Sequence, residues 1–404
     1  MMSTYRSVFA WLLCAVLCLA LLHLLCCSPH GAPVLQYIAS TYNQAAASTS
    51  SCDYSEGEWV SAPGHRRYNG TECNVKDSEN CIRNGRQDTG YLDWRWQPSA
   101  AGCPLPDFDA TKFLDALHGK HVAFFGDSMA RNQAESLICL LSTSFPYRMV
   151  YRDRNQGTRK FWRWAFPSHN VTVSSYWAPF LARAEGGSEN FSVPYNSVFF
   201  DALAERWSAD ADTMDIAVVS IGHWFPNPSI YYNGSDVLGT HLLPDFNHTE
   251  IGFFSPYREA IRMTLRRLLS SGGKNGRTVV VSTFSPSHFE KARDDPTSCV
   301  RRRPYREGER EVESMHAELR SIVREETASA ARNGNGTRVE VMDVTKLATM
   351  RPDGHPGPYM KRDPFARGVP KQIDCLHFCL PGPVDTFNEI LLQLLTKESV
   401  AQVR

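Results

Sequence analysis

The chain has 404 residues, with 43 Lys or Arg against 43 Asp or Glu, so its formal charge at neutral pH is zero. That balance argues against a nucleic-acid partner, which requires a basic face, and gives no sign of a strongly acidic ligand. The remaining composition is that of an ordinary folded protein, with 9 Trp and 15 Tyr that suit either a core or a sugar-binding cleft.

A short head, residues 1–7, includes Arg6 and precedes an almost wholly apolar run from Val8 to Cys27. Twenty helical residues at 1.5 Å each span about 30 Å, the thickness of the hydrocarbon core. A basic head before such a run predicts a signal anchor, with the amino terminus in the cytoplasm and the bulk of the chain in a lumen. A cleaved signal peptide is the competing reading. The apolar core is longer than the usual ~7–15 residues, however, and no clean A-x-A site follows it. Residues 28–51 are small, polar and aperiodic, as in a stem between membrane and body.

Eight cysteines lie beyond the anchor: Cys52, Cys73, Cys81, Cys103, Cys139, Cys299, Cys375 and Cys379. An even number suits disulfides in an oxidising compartment. No paired CxxC or Cys…His spacing is present, so no metal site is expected. Sequons at Asn69, Asn170, Asn190, Asn233, Asn247 and Asn335 also fit a lumenal chain.

Residues 52–108 hold four of these cysteines among Gly, Asn and Asp, which predicts a loop-rich, disulfide-stapled segment rather than regular structure. Beyond it the spacing predicts strands at His121–Phe125, Asp215–Gly222, Thr278–Phe284 and Arg338–Val344. Helices are predicted at Met129–Leu141, Arg258–Leu269, Val312–Ala331 and Val384–Leu395. Short apolar strands alternating with helices imply an α/β fold, a parallel sheet with helices on both faces, forming one domain over 52–404.

Two motifs carry chemistry. Gly126-Asp127-Ser128 follows the first apolar strand and opens a helix. Active sites of open α/β sheets form at the carboxyl ends of strands, and free N–H groups at a helix start can hold an oxyanion. A plain helix cap is the bland alternative. Near the carboxyl end, Asp374 and His377 stand three residues apart, where a carboxylate can orient an imidazole that serves as base to a serine. A structural histidine is the bland alternative there. The two motifs together are far more specific than either alone.

The pair resembles the GDSL/SGNH esterase superfamily. More closely, CDYSEGEWV, YNGTEC, DTGYLDWRWQP, FFGDSMARNQ, GHWF, RPDGHPGPY and DCLHFCLPGPVDTFNEIL, in this order, resemble the plant trichome birefringence-like family of polysaccharide O-acetyltransferases. The likeness covers nearly everything from Cys52 to Leu395. The RPDGHPG and DTGYLDWRW forms look most like members that act on xyloglucan, with mannan and xylan enzymes as near relatives.

The resemblance implies an SGNH-hydrolase-like fold, an acetyl-serine mechanism and a Golgi membrane location with the catalytic domain in the lumen. Ser128 would be the nucleophile, His377 the base and Asp374 its orienter, with Gly126 and Asp127 shaping the turn. Arg131 and Asn132 are oxyanion candidates or structural hydrogen bonders. His223, Trp224 and His355 are cleft candidates, with core or turn roles as alternatives. The implied disulfides are Cys52–Cys103, Cys73–Cys139, Cys81–Cys379 and Cys299–Cys375. No cofactor is expected to be bound. The acetyl donor, whether acetyl-CoA or an acetylated carrier served by a membrane protein, is not legible. Relatives usually carry Trp where Phe378 stands, and many carry a cysteine pair near Gly239, where this chain has GTHLLP. The same residues would serve a polysaccharide acetyl esterase. A polysaccharide-binding scaffold is the non-enzymatic rival, though it would have no use for an intact Ser, His and Asp.

Overall fold

The strands that are apolar along their whole length lie side by side at the centre of one sheet. The structure, a computed structural model, describes residues 52–396 apart from 71–72, 74–75, 154–160, 271–275, 293–294, 296, 334–335 and 366–371. The expected anchor at 8–27 and stem at 28–51 lie outside the described residues. Residues Tyr54–Arg404 form one compact unit.

In chain order the strands are β1 (Gly57–Ser61), β2 (Trp94–Pro98), β3 (His121–Gly126), β4 (Arg148–Arg152), β5 (Phe161–Phe166), β6 (Val171–Trp177), β7 (Ala182–Gly186), β8 (Asn196–Leu203), β9 (Ile216–Ser220), β10 (Ser229–Asn233), β11 (Asp236–His241), β12 (Thr278–Ser282) and β13 (Arg338–Met342). The longer helices are α1 (Ala110–Ala116), α2 (Ser128–Ser142), α3 (Phe254–Leu269), α4 (Ser314–Arg332) and α5 (Asp385–Thr396).

The large sheet has the order β13-β12-β9-β3-β6-β5-β4. From β13 to β6 all neighbours are parallel, and β5 and β4 extend that edge antiparallel. Strands β3, β9 and β12 are buried almost end to end, as expected of parallel strands covered on both faces. Ala123, Phe125, Ala217, Val219, Val279 and Val281 pack into one core with Ile261 and Leu265 of α3 and Ile322 and Val323 of α4. The alternate residues Val122, Phe124, Val218 and Val280, also buried, point to the other face. There α2 packs against β3 and β6, and α5 packs against α2 and β13. Helix α2 is buried on every side from Ser128 to Leu141, although it carries Arg131, Asn132, Gln133 and Glu135.

Two features depart from the sequence expectation. The segment 148–241 supplies not only β4–β6 but also a second, four-stranded sheet of order β11-β10-β8-β7. The 52–108 segment contains the antiparallel pair β1–β2, joined by Trp59 packing edge-on against Trp96 at 5.6 Å. Its two arms are separated by all of residues 62–93, so no hairpin turn announces them in the sequence.

The topology decides where a site can form. After β3 the chain runs through α2 to β4–β6 on one side, then returns to β9 on the other. The carboxyl end of β3 is therefore a topological switch point, where a crevice opens.

Candidate active site

Gly126 ends β3 at that switch point with φ of 145°, and a Cβ there would stand 1.8 Å from the Ser220 carbonyl oxygen of β9. Only glycine passes so close to the neighbouring strand in that conformation. The turn is then tied down: the Asp127 N–H donates to Ser220 O at 3.0 Å, and the Ala178 N–H donates to Gly126 O at 2.8 Å.

Asp127 is the N-cap of α2, accepting from the Met129 N–H at 2.9 Å with one carboxylate oxygen. Its other oxygen accepts from the His223 N–H at 3.1 Å. Capping is thus done by Asp127, and Ser128 stands at the first helical position, 5% exposed.

On the opposite wall, Asp374 Oδ2 lies 2.6 Å from His377 Nδ1. Asp374 Oδ1 accepts from the Leu376 and His377 N–H groups, both at 2.9 Å. Burial works against the Asp374 carboxylate, but its electrostatic attraction to the His377 ring and these hydrogen bonds outweigh it and hold its pKa below the usual range. His377 Nε2 is buried and has no hydrogen-bond partner. The ring therefore has one nitrogen fixed by a carboxylate and the other unused, the state a general base needs before substrate arrives.

Asn132 joins the two walls. One turn after Ser128, its amide donates to Phe378 O at 3.0 Å, and its carbonyl accepts from the Phe378 N–H at 3.1 Å. The same amide donates to Glu79 Oε2 at 3.0 Å, so neither of its protons is left for an oxyanion. Arg131 donates to Glu79 Oε1 at 2.8 Å, while its Nε and one terminal nitrogen have no partner.

Glu79 is fully buried beside Glu135 of α2. Burial opposes the charge at Glu79, but Arg131 overcomes it and brings the pKa down to about 2. Burial, then the Glu79 charge, push Glu135 well above the carboxylate range. One proton thus sits on Glu135 and one negative charge on Glu79, facing Arg131. Glu79→Gln is expected to destabilise the fold by ~3–5 kcal/mol, because it leaves Arg131 buried without its counter-ion. Denaturant unfolding measures this, and a loss under about 1 kcal/mol would mean that Glu135 ionises in its place.

His223 Nε2 donates to Ser285 O at 2.8 Å, and its ring packs on Phe284 at 4.5 Å. Burial lowers its pKa. Trp224 is half-buried, edge-on to Trp177 at 5.7 Å and stacked with Phe191 at 5.9 Å. Phe191 is 61% exposed, which makes this pair the aromatic surface next to the turn that holds Asp127. His355 is not on the surface of its loop: it is buried and stacks on Phe378 at 4.8 Å with the rings 9° from parallel.

The cysteine-rich segment supports this region from behind. Arg86 donates to the carbonyls of His355 and Asp353 at 2.8 and 2.7 Å. Arg351 pairs with Asp353 and donates to Tyr91 O at 2.6 Å. Disulfides Cys73–Cys139, Cys81–Cys379 and Cys299–Cys375 form as the resemblance implies, and Cys52 and Cys103 are each disulfide-bonded. Two bridges therefore flank His377. Cys81, Cys375 and Cys379 are inaccessible, whereas Cys299 is half-buried. Mild reductant is expected to open Cys299–Cys375 first and to lower activity at concentrations that leave the thermal transition in place. Full activity after alkylation of both thiols would show that this bridge does not support the base.

The asparagines at 69, 170, 190, 233 and 247 are all exposed, and Asn335 lies outside the described residues. Near Gly239, residues between Val237 and Thr249 surround a concavity of about 550 Å³ rimmed by exposed Leu238 and Phe246. His65, Asp107 and Glu389 could in principle share a cation. Arg67 already pairs with Glu389, and Arg95 lies 3.9 Å from Asp107, so side chains supply positive charge there. Among the described residues no helix is long and apolar enough to cross a membrane.

The chain belongs to the GDSL/SGNH-like acyl-esterase family found in Pmr5 and Cas1p, whose profile matches residues 105–394. Residues 50–103 match the PMR5 N-terminal domain. Within that class it is 48% identical to xyloglucan O-acetyltransferase 2 of Populus trichocarpa, over 88% of this chain and 84% of the relative. It is also 48% identical to xyloglucan O-acetyltransferase 1 of Arabidopsis thaliana, over 86% of this chain and 81% of the relative. Protein trichome birefringence-like 25 of Arabidopsis thaliana is 36% identical over 85% and 76% of the two chains.

Asn132, expected as an oxyanion candidate or a structural hydrogen bonder, has the structural role, whereas the charged groups packed behind it were not expected from the sequence. Glu79, Glu135 and Arg86 carry no motif. His288, which follows β12 at the carboxyl side of the sheet, had a positional signal that could have found it.

Proposed function

We propose that this chain transfers acetyl groups to hydroxyls of xyloglucan, through an acetyl-serine on Ser128. The observation that carries this reading is His377, with Nδ1 held by Asp374, Nε2 buried and unpartnered, and its loop bonded to the Ser128 helix through Asn132. The xyloglucan acceptor is supported by the two relatives at 48% identity that bear that name.

In the first step Ser128 Oγ attacks the donor's acetyl carbonyl while His377 Nε2 takes the hydroxyl proton. The tetrahedral oxyanion rests on the backbone N–H groups at the start of α2, with the uncommitted Arg131 nitrogens as a further positive field. The intermediate collapses, the donor's leaving group departs with the proton from His377, and acetyl-serine remains. A sugar hydroxyl then attacks, His377 takes its proton, and Ser128 is regenerated. No step needs a metal or a bound prosthetic group. The acetyl donor is acetyl-CoA or an acetylated carrier, delivered with the help of a membrane protein. Residues 8–27 anchor the chain in the Golgi membrane and place residues 52–404 in the lumen, a reading supported by the apolar run, the sequons and the disulfides. Trp224 and Phe191 offer a sugar-facing surface beside the turn.

The test is incubation with an acetyl donor and, separately, xyloglucan, mannan and xylan oligosaccharides, followed by mass spectrometry. Acetyl gain on xyloglucan alone is the expected result. Gain on another glycan would reassign the acceptor. Acetyl loss from pre-acetylated glycans without transfer would make the protein an esterase.

A further inference from the structure

Behind the base, two buried histidines stand in line between two backbone carbonyls. His288 Nε2 lies 2.7 Å from Thr349 O, His288 Nδ1 lies 2.7 Å from His355 Nε2, and His355 Nδ1 lies 2.8 Å from His377 O. Carbonyl oxygens only accept, so the outer nitrogen of each ring must carry a proton. The central contact needs a proton too, because two bare nitrogen lone pairs would repel at that separation. Two neutral imidazoles hold two protons, and this chain of contacts requires three.

We propose that His288 and His355 share the third proton as a buried imidazole–imidazolium pair, and that this pair positions the loop bearing His377.

The surroundings divide over such a charge. Asp374 favours it at His355, and the Phe378 ring lies flat against the same imidazole. Arg86 opposes it at His355, and Arg310 and His316 oppose it at His288, with Tyr305 the other ring nearby. Burial pulls His288 down to about 4 and His355 well below the histidine range. Two neutral rings would therefore be the outcome if desolvation alone decided. The geometry resists it, because neither carbonyl can retreat. Thr349 closes the helical turn Thr345–Thr349, and His377 is held by Asp374 and lies between bridged Cys375 and Cys379. Without the third proton, one of the three contacts must be given up. If the His377 carbonyl loses its donor, the loop between base and nucleophile loses a support.

The proton count stands without any assumption about activity, whereas its consequence for the base rests on the function proposed above. The test compares the full-length chain in detergent with its His288→Phe variant. Phenylalanine removes both nitrogens at 288 and leaves His355 neutral with Nδ1–H still donating to His377 O, so the extra proton is no longer needed. Thermal unfolding from about pH 5.5 to 8.5 reads the sign. A shared proton raises the folded-state pKa above the unfolded value of about 6.5. The stability it contributes is then complete below that pH and lost as pH rises. The melting-temperature gap between wild type and His288→Phe should therefore shrink toward high pH. A gap that shrinks toward low pH, or does not change, overturns the shared proton. If His288→Phe does not fold, wild-type protein labelled with ¹⁵N-histidine decides: three protonated nitrogens among the four of these rings support the pair, two overturn it. For the positioning role, His355→Phe, which removes the donor to His377 O, should lower kcat about tenfold at unchanged KM, while His288→Phe, which keeps that donor, should remove one alkaline ionisation from the pH profile. An unaltered profile overturns positioning. A wild-type chain that transfers no acetyl overturns the functional proposal but leaves the unfolding result to decide the proton.

Discussion

Ser128→Ala is expected to reduce acetyl transfer by on the order of 10⁴-fold or more while changing stability by less than about 1 kcal/mol. Each tenfold loss corresponds to about 1.4 kcal/mol of transition-state stabilisation, so the hydroxyl is being asked to supply roughly 5–6 kcal/mol. In the proposed mechanism it does so because the covalent intermediate splits one difficult exchange into two steps, each with His377 as proton carrier. The fold should tolerate the change, since the helix cap is made by Asp127 and the turn by Gly126. What remains in the variant is whatever binding and oxyanion stabilisation supply on their own. The measurement is acetyl gain on oligosaccharides by mass spectrometry, alongside a thermal melt. Transfer at more than about one-tenth of the wild-type rate would mean that the sugar hydroxyl attacks the donor directly, and that Ser128 is not the nucleophile.

Asp374→Asn should cost about 10³–10⁴-fold in kcat for a different reason. One carboxylate oxygen serves two backbone N–H groups, and the other holds His377 Nδ1–H. An amide has one acceptor only. If it keeps the backbone pair, it turns its NH₂ toward Nδ1, which moves the ring proton to Nε2 and removes the lone pair that must accept from serine. Combining Asp374→Asn with Ser128→Ala should add little further loss, because the two act as one unit. A fully additive double variant would separate Asp374 from the nucleophile's chemistry. Since burial is outweighed and the folded pKa of Asp374 lies below the ordinary value, its contribution to stability is present above about pH 4 and fades as pH falls further. An acid limb of activity near pH 6 therefore has another origin.

How much of this was legible before folding depends on whether the cause was local. Gly126, Asp127 and Ser128 announce themselves because a strand that is apolar throughout must end, and a glycine followed by a capping residue ends it. Asp374 and His377 are readable because three residues of separation let them meet across a single turn. Strands β3, β9, β12 and β13 were found within a few residues for the same local reason, whereas β6 was not. Strand β5 was not, although its Trp164 and Phe166 are buried, and neither was the second sheet, although β7–β8 and β10–β11 pair as chain neighbours and only β8–β10 pairs at a distance. The edge strand β4 is exposed along its whole length and so carries no burial pattern to detect.

The amino-acid order by itself determined the compartment expected, the α/β class, the turn bearing Ser128 and the Asp374–His377 pair, since each follows from composition or from contacts within a few residues. Only the tertiary structure decided that these two walls meet. That meeting depends on Asn132 reaching Phe378, Glu79 sitting under Arg131, Arg86 holding the His355 loop and His288 facing His355, contacts that span tens to hundreds of residues. No period or spacing encodes a partner at such a distance. Its identity is set by which elements the packed sheet and its disulfides bring together, and the buried charges and protons there are tolerable only because that packing supplies their counter-charges and hydrogen bonds.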